Sequence, residues 1–140
     1  MQLRFLVFSA VLLCFMTVAG VGAAQRTVTA TDSWVKAPAE GATGTSAFVT
    51  VQNGTMYDVY IVGVESDAAS VVELRQASKG GAATVTKQVT VPAFDRLDMS
   101  PEGAYIHLEQ LKRPLKAGEP VNLSLLVDNG PTLTVAATVK

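Results

Sequence analysis

The sequence predicts an all-β domain, a sandwich or barrel of about nine short strands. From Thr27 onwards the chain is rich in valine and threonine, whose branched side chains pack well on a pleated sheet. Apolar and polar residues alternate over short segments, as they do in half-buried strands. Clusters of Gly, Pro, Asn and Asp interrupt these segments at the spacing expected of sandwiches and barrels.

The predicted strands follow from this alternation in chain order. The first lies in TVTATDSWVKAP and stops at Pro38, and the second, TSAFVTVQ, stops at the turn sequence NGT. The others are DVYIVGVES (58–66), VVELRQAS (71–78), ATVTKQVTV (83–91), RLDMS (96–100), AYIHLEQL (104–111), PVNLSLLVD (120–128) and TLTVAATVK (132–140).

Only SDAASVVELRQASKG, residues 66–80, has a composition that suits a helix. The VVELR part also fits a strand, and glycines end the segment quickly. We therefore expect a loop or one helical turn here, followed by a strand.

Residues 1–24 are predicted to be a signal peptide, which leaves a domain at residues 25–140. Arg4 precedes an apolar run over residues 5–18, and small residues follow up to Ala24, as in secreted proteins. An uncleaved anchor is the alternative. Cys14, the only cysteine, lacks the small preceding residue of a lipid-acceptor site, so the exported domain is expected to have neither a disulfide nor a lipid.

Charge argues against nucleic acid as a partner. The chain has 11 basic and 12 acidic residues, and removal of Arg4 with the signal peptide leaves the domain more acidic still. The stretch LKRPLK is too small a basic patch to reverse this. We expect no nucleic-acid binding, and no membrane association after the signal peptide is cleaved.

Two predicted strands place polar side chains on one face. Alternation in AYIHLEQL turns the apolar residues inward and leaves Tyr105, His107 and Glu109 on the other face. In VVELRQ it does the same for Glu73 and Arg75. If these strands lie side by side, their polar side chains converge around His107, the only histidine of the chain.

The chain from Asp32 to Lys140 resembles the PCu(A)C family of periplasmic copper chaperones, the DUF461 group. The resemblance is carried by SWVKAP, TSAFVTVQN leading into DVYIVGVES, VVELR, VTVPAF and LEQLKRPLKAGEPVNLSLLVDNG. The last stretch is the most specific, since it resembles the family segment GLKxPLxxGDxVxLTLxFxxG. The resemblance implies a cupredoxin-like Greek-key β-sandwich that carries Cu(I) in the periplasm to a cuproprotein acceptor such as an oxidase subunit.

The resemblance also implies where copper would bind. Members of the family use a His directly after the EL of VVEL, a Met on the following strand and a His-x-Met pair, donors that suit the soft Cu(I) ion. In this chain Arg75 follows EL, Thr84 or Thr86 lies near the Met position, and the His-x-Met pair aligns with Tyr105 and His107. Each of the family's ligands is replaced.

Two interpretations of this site remain open. Arg75 is expected to occupy the former metal position in a polar cluster with Tyr105, His107 and Glu109, or with Glu73. Alternatively, His107 and Met99 form a non-standard Cu(I) site.

The corresponding functions are a Cu(I) carrier with a degenerate site and a metal-free periplasmic binding module on the same scaffold. An enzyme is not expected, because the sequence has no GxSxG nucleophile elbow. The S-x-x-K match at Ser33 and Lys36 lacks the companion motifs of that enzyme class.

Overall fold

The computed structural model describes residues 27–128 and 130–140, so the predicted signal peptide and Cys14 lie outside the described residues. In the described part the regular elements are strands, and no helix there is long and apolar enough to cross a bilayer. The strands are β1 (Val28–Val35), β2 (Thr45–Asn53), β3 (Val59–Ser66), β4 (Ala69–Ser78), β5 (Gly81–Val85), β6 (Val89–Val91), β7 (Arg96–Asp98), β8 (Ala104–Leu111), β9 (Pro120–Val127) and β10 (Leu133–Val139).

The strands form one hydrogen-bonded sheet in the order β5-β4-β8-β2-β1-β10-β9-β3-β6, and β7 pairs with β2. Although β3 and β4 are far apart in this order, they contact each other, so the sheet folds over on itself as a sandwich. The predicted all-β class is therefore confirmed. Buried Val, Leu and Ile side chains fill the space between the two layers.

Strand β1 connects the two layers. It pairs antiparallel with β2 along most of its length, and its last residues, Trp34 and Val35, also pair parallel with β10. The register shifts between Thr31 and Trp34, where Asp32 has a φ of 49°. Such an irregularity bends a strand and lets it take part in both layers.

The structure has ten strands where the sequence predicts about nine, because the predicted strand 83–91 is divided. Its first part belongs to β5, which pairs with β4, and its last part is β6, which pairs with β3 at the other end of the sheet. This division follows from the pairing of the strands, which the alternation of apolar and polar residues along the sequence does not reveal.

No helical turn forms in the segment 66–80. A bend at Asp67 and Ala68 joins β3 directly to β4. The Asp67 carboxylate accepts hydrogen bonds from the backbone N–H and the side chain of Asn122 on β9, at 3.2 and 3.1 Å. Ala68 and Ala69 are buried, so the bend belongs to the packed core.

Candidate functional site

Strands β4 and β8 place the predicted polar side chains directly opposite one another. In their antiparallel register Arg75 faces Tyr105 and Glu73 faces His107. Directly opposed residues project to the same side of a sheet, with Cβ atoms about 5 Å apart. The structure thus brings together residues that are about 30 positions apart in the sequence.

Four of these side chains form a continuous network of ion pairs and hydrogen bonds, which we call the Arg75 cluster: Arg75, Glu73, His107 and Glu109. The Arg75 Nη2 and Nε atoms donate to Oε2 of Glu73 at 2.9 and 3.2 Å. Nη2 also lies 3.8 Å from Oε1 of Glu109, and that same oxygen is 2.9 Å from Nε2 of His107. One guanidinium therefore lies between two carboxylates, the second of which holds the imidazole.

The Arg75 guanidinium is stabilised in its charged form. Its hydrogen bond to Glu73 is the largest effect and raises the pKa of Arg75. The loss of solvation lowers this pKa by less, and electrostatic interactions with Glu73, Tyr105 and Glu109 raise it further. Since an arginine is already protonated under ordinary conditions, position 75 carries a fixed positive charge.

Tyr105 connects this cluster to an aromatic row on the same side of the sheet. Its ring centroid lies 6.3 Å from that of Phe48, which in turn lies 4.5 Å from that of Trp34. The row restrains the Tyr105 ring by packing, because aromatic pairs in this distance range attract one another.

The adjacent edge strand β5 places Val85 opposite Arg75, and Thr84 opposite Gln76. Val85 therefore shares the face of the Arg75 cluster, whereas alternation turns Thr84 to the other face. Sequence reasoning named Thr84 and Thr86 for this position and missed Val85. The register shifts between Gln76 and Ser78, so counting from the Ser78–Gly81 pair at the turn would have put Thr84, and not Val85, opposite Arg75.

The two methionines of the described residues lie in different surroundings. Met99 is buried and lines a depression with Trp34 and Phe48, while its backbone N–H donates to the carbonyl of Val49. Met56 is 51% exposed in the turn between β2 and β3. Met99 as a partner of His107 stays a prediction.

The side chains around Arg75 do not fit Cu(I). A guanidinium has no lone pair to give to a metal, carboxylates and a phenol are hard oxygen donors, and Val85 has no donor atom. His107 supplies one nitrogen, and its Nε2 is engaged with Glu109. Within the described residues no group of three or more His, Cys, Asp or Glu side chains could hold a metal ion.

One shallow depression borders the Arg75 cluster, and a second borders the neighbouring Tyr105. One, of about 500 Å³, lies beside His107 and is lined by Lys36, Gly44 and Ser46 among others. The other, of about 460 Å³, lies beside Tyr105 and includes Ser78 and Glu102. Lys36 adds a second cationic group to this side of the molecule, a contribution that sequence reasoning did not anticipate.

Residues 28–139 match the family model described as "Putative lipoprotein LpqE-like". A curated relative, "Putative lipoprotein Lxx21020" of Leifsonia xyli subsp. xyli, is 37% identical over 112 residues, which make up 77% of this chain. The chain spans 66% of the length of that relative, slightly less than two thirds.

Solved structures show the same fold. The copper-bound PCuAC domain from PmoF2 superposes with a TM-score of 0.71 at 21% identity, over 81% of this chain and 92% of that domain. The solution structure of CuI-DR1885 from Deinococcus radiodurans gives a TM-score of 0.63 at 35% identity, over 87% of this chain and 83% of that one. The cupredoxin-like sandwich predicted from the resemblance is thereby confirmed. The chain belongs to the LpqE-like lipoprotein family, within the PCu(A)C group of copper-chaperone domains that its sequence resembles.

Proposed function

We propose that this protein is an exported, non-catalytic member of the copper-chaperone family that binds a cuproprotein partner, such as an oxidase subunit, without carrying Cu(I) at the family's usual position. The observation that supports this most strongly is the pairing of Arg75 with Glu73 and Glu109 at the position where the resemblance implies a copper ligand.

The guanidinium at this position opposes copper by its chemistry rather than by the net charge of the cluster, because Glu73 and Glu109 offset its positive charge. It has no lone pair for a metal, and it occupies the place between the two carboxylates. The contacts with Glu73 raise the pKa of Arg75, so a higher pH does not remove this charge within the range where proteins are studied. The obstacle to copper binding is therefore independent of pH.

The same groups suit the binding of a protein surface. Glu73 takes the Nε and Nη2 donors of Arg75, which leaves Nη1 without a hydrogen bond within the described residues. Arg75 is held in place by its neighbours and is 25% exposed, so it is available to a carboxylate or carbonyl of a partner. Arginine and tyrosine are enriched among residues that dominate binding energy at interfaces.

A Cu(I) carrier that uses His107 and Met99 is the second candidate. The observation that favours it is the 35% identity to CuI-DR1885, over most of both chains. Imidazole nitrogen and thioether sulfur are suitable Cu(I) donors. Its support within this chain is weaker, because Met99 is buried beside Trp34 and Phe48, and His107 is bonded to Glu109.

We place the protein outside the cytoplasm. The order of charged, apolar and small residues over positions 1–24 supports export, and relatives described as lipoproteins agree with an envelope location. We expect cleavage after Ala24 rather than lipid attachment at Cys14, since the residues before Cys14 are VLL.

Anaerobic titration with Cu(I) against a competing chelator, at pH values from about 6 to 9, tests the proposal. We expect no binding tighter than about micromolar at any of these pH values, because Arg75 stays charged throughout. Sub-nanomolar binding that His107→Ala and Met99→Leu both abolish would instead establish the carrier. Met56→Leu, at an exposed methionine, is the matched control.

A further inference from the structure

Two loops near the far end of β2 expose three large apolar side chains. The loops, which we call the paired loops, are residues 54–58 after β2 and residues 92–95 after β6. Met56, Tyr57 and Phe94 are 51%, 72% and 66% exposed. Only two other large apolar side chains of the described part, Val62 and Val85, are comparably exposed, and neither is in these loops.

The paired loops are well separated from the Arg75 cluster. His107 pairs with Ser46 at the beginning of β2, whereas Asn53 is its last residue. Seven residues of strand correspond to about 23 Å at 3.3 Å per residue. The two surfaces therefore lie near opposite ends of this strand.

Phe94 has an unusual backbone conformation for an exposed aromatic residue. Its φ is 55°, in the left-handed region that side chains bearing a Cβ rarely adopt. Phe94 is the third residue of a turn that the hydrogen bond from the Asp95 N–H to the Pro92 carbonyl closes at 3.2 Å, a position where glycine would suit the backbone better than an aromatic residue. Strained positions of this kind concentrate where proteins bind other molecules.

Hydrogen bonds hold the two loops together in one arrangement. The buried Asn53 side chain donates through Nδ2 to the carbonyls of Tyr57, Val91 and Pro92, at 2.7, 3.1 and 3.1 Å. The Phe94 N–H donates to the carbonyl of Thr55 at 3.1 Å. Because the exposed side chains are carried on an ordered backbone, little backbone entropy is lost when they are covered.

The charges near the paired loops are mainly negative. Asp58 and Asp95 are exposed, and each accepts a backbone N–H, from Ala93 and Arg96, at 3.0 and 2.8 Å. The basic side chain of Arg96 is paired with Asp98 at 3.0 Å. An anionic lipid surface attracts basic residues and repels carboxylates, so this composition favours a protein over a membrane.

From these observations we infer that the paired loops dock a protein that presents an apolar recess bordered by Lys or Arg side chains. Met56, Tyr57 and Phe94 enter the recess, and Asp58 and Asp95 face its basic border. Aromatic residues and methionine are enriched at protein interfaces, and complementary charges fix the orientation of docking. This inference rests on the proposed function, since it supplies an apolar contact for the same partner.

Photo-crosslinking in the cells that make the protein tests the inference. The full chain carries a photoreactive phenylalanine in place of Tyr57, and a control version carries it in place of Val62, which is 45% exposed on β3. We expect position 57 to capture a protein that position 62 does not. A lipid adduct, a second copy of this chain or no adduct at position 57 would each overturn the inference.

Affinity measurements with the captured, purified protein complete the test. Phe94→Gly is expected to weaken binding at least about tenfold while raising the melting temperature, since glycine tolerates a positive φ. Val62→Ser, at an exposed valine outside both surfaces, should leave the affinity unchanged. If Phe94→Gly binds as tightly as the native chain, the inference is wrong. Arg75→Gln distinguishes this inference from the proposed function. A loss of affinity with Arg75→Gln but not with Phe94→Gly would support binding at the Arg75 cluster and not at the paired loops.

Discussion

Arg75 is the residue on which the functional interpretation depends. Its two hydrogen bonds to Glu73 and its proximity to Glu109 place a positive charge between two carboxylates. The side chains involved remain partly exposed, from 18% for His107 to 48% for Glu109. Partly exposed ion pairs contribute little to stability, so the network is expected to add little to the free energy of unfolding.

Arg75→Gln is accordingly expected to lower the free energy of unfolding by only about 0 to 1 kcal/mol. Urea denaturation of the variant and the native chain measures the difference. Arg96→Gln, which breaks the more exposed pair with Asp98, is the matched control. A loss of about 3 kcal/mol or more for Arg75→Gln would show that the cluster is a buried structural pair and would argue against an interface role.

Among the elements, the antiparallel pair β4 and β8 and the edge strand β5 define the candidate site. The faces of these strands were predictable from the sequence, because alternation alone assigns Arg75, Tyr105 and His107 to one side. Their pairing was not, since register depends on contacts between strands. Hence Val85, which faces Arg75 across the β4–β5 pair, escaped prediction.

The division of residues 83–91 into β5 and β6 has the same cause. The segment is uniformly compatible with a strand, and only the separate partners of its two parts, β4 and β3, reveal the break. Likewise the bend at Asp67 depends on Asn122, a residue 55 positions away, so a local helical preference in residues 66–80 had no influence.

The Asn53 side chain connects the end of β2 to the turn before β3 and to the end of β6. It is 1% exposed, and its Nδ2 donates hydrogen bonds to the carbonyls of Tyr57 and Val91. Asn53→Ala leaves the carbonyls of Val91 and Pro92 without this donor, and we expect a loss of about 1 to 3 kcal/mol in unfolding free energy. Denaturant unfolding measures it.

The neighbouring Gln52→Ala, at an exposed position of the same strand, is the control and should change stability by less than about 0.5 kcal/mol. Equal effects of the two substitutions would mean that Asn53 does not hold the paired loops in place.

At the scale of the whole molecule, the fold follows the family, while the residues at the copper positions that the resemblance implies depart from it. The sandwich matches copper-bound and Cu(I)-bound relatives over more than four fifths of this chain, yet the positions that the resemblance assigns to copper hold Arg75, Tyr105 and His107. A fold persists because its core is buried on many strands, whereas a binding site changes with a few surface substitutions. The family was therefore predictable from the sequence, while the activity of this copy has to be argued from its own residues.

Restoring the family's ligands tests the effect of this departure most directly. The variant combines Arg75→His, Val85→Met, Tyr105→His and His107→Met, four positions that share one face of β5, β4 and β8. The same variant with Arg75 retained is the control.

Anaerobic Cu(I) titration compares these chains with the native one. We predict that the four substitutions raise Cu(I) affinity at least about a thousandfold over the native protein, and that retaining Arg75 removes most of the gain. A native chain that binds Cu(I) as tightly as the restored variant would contradict the account.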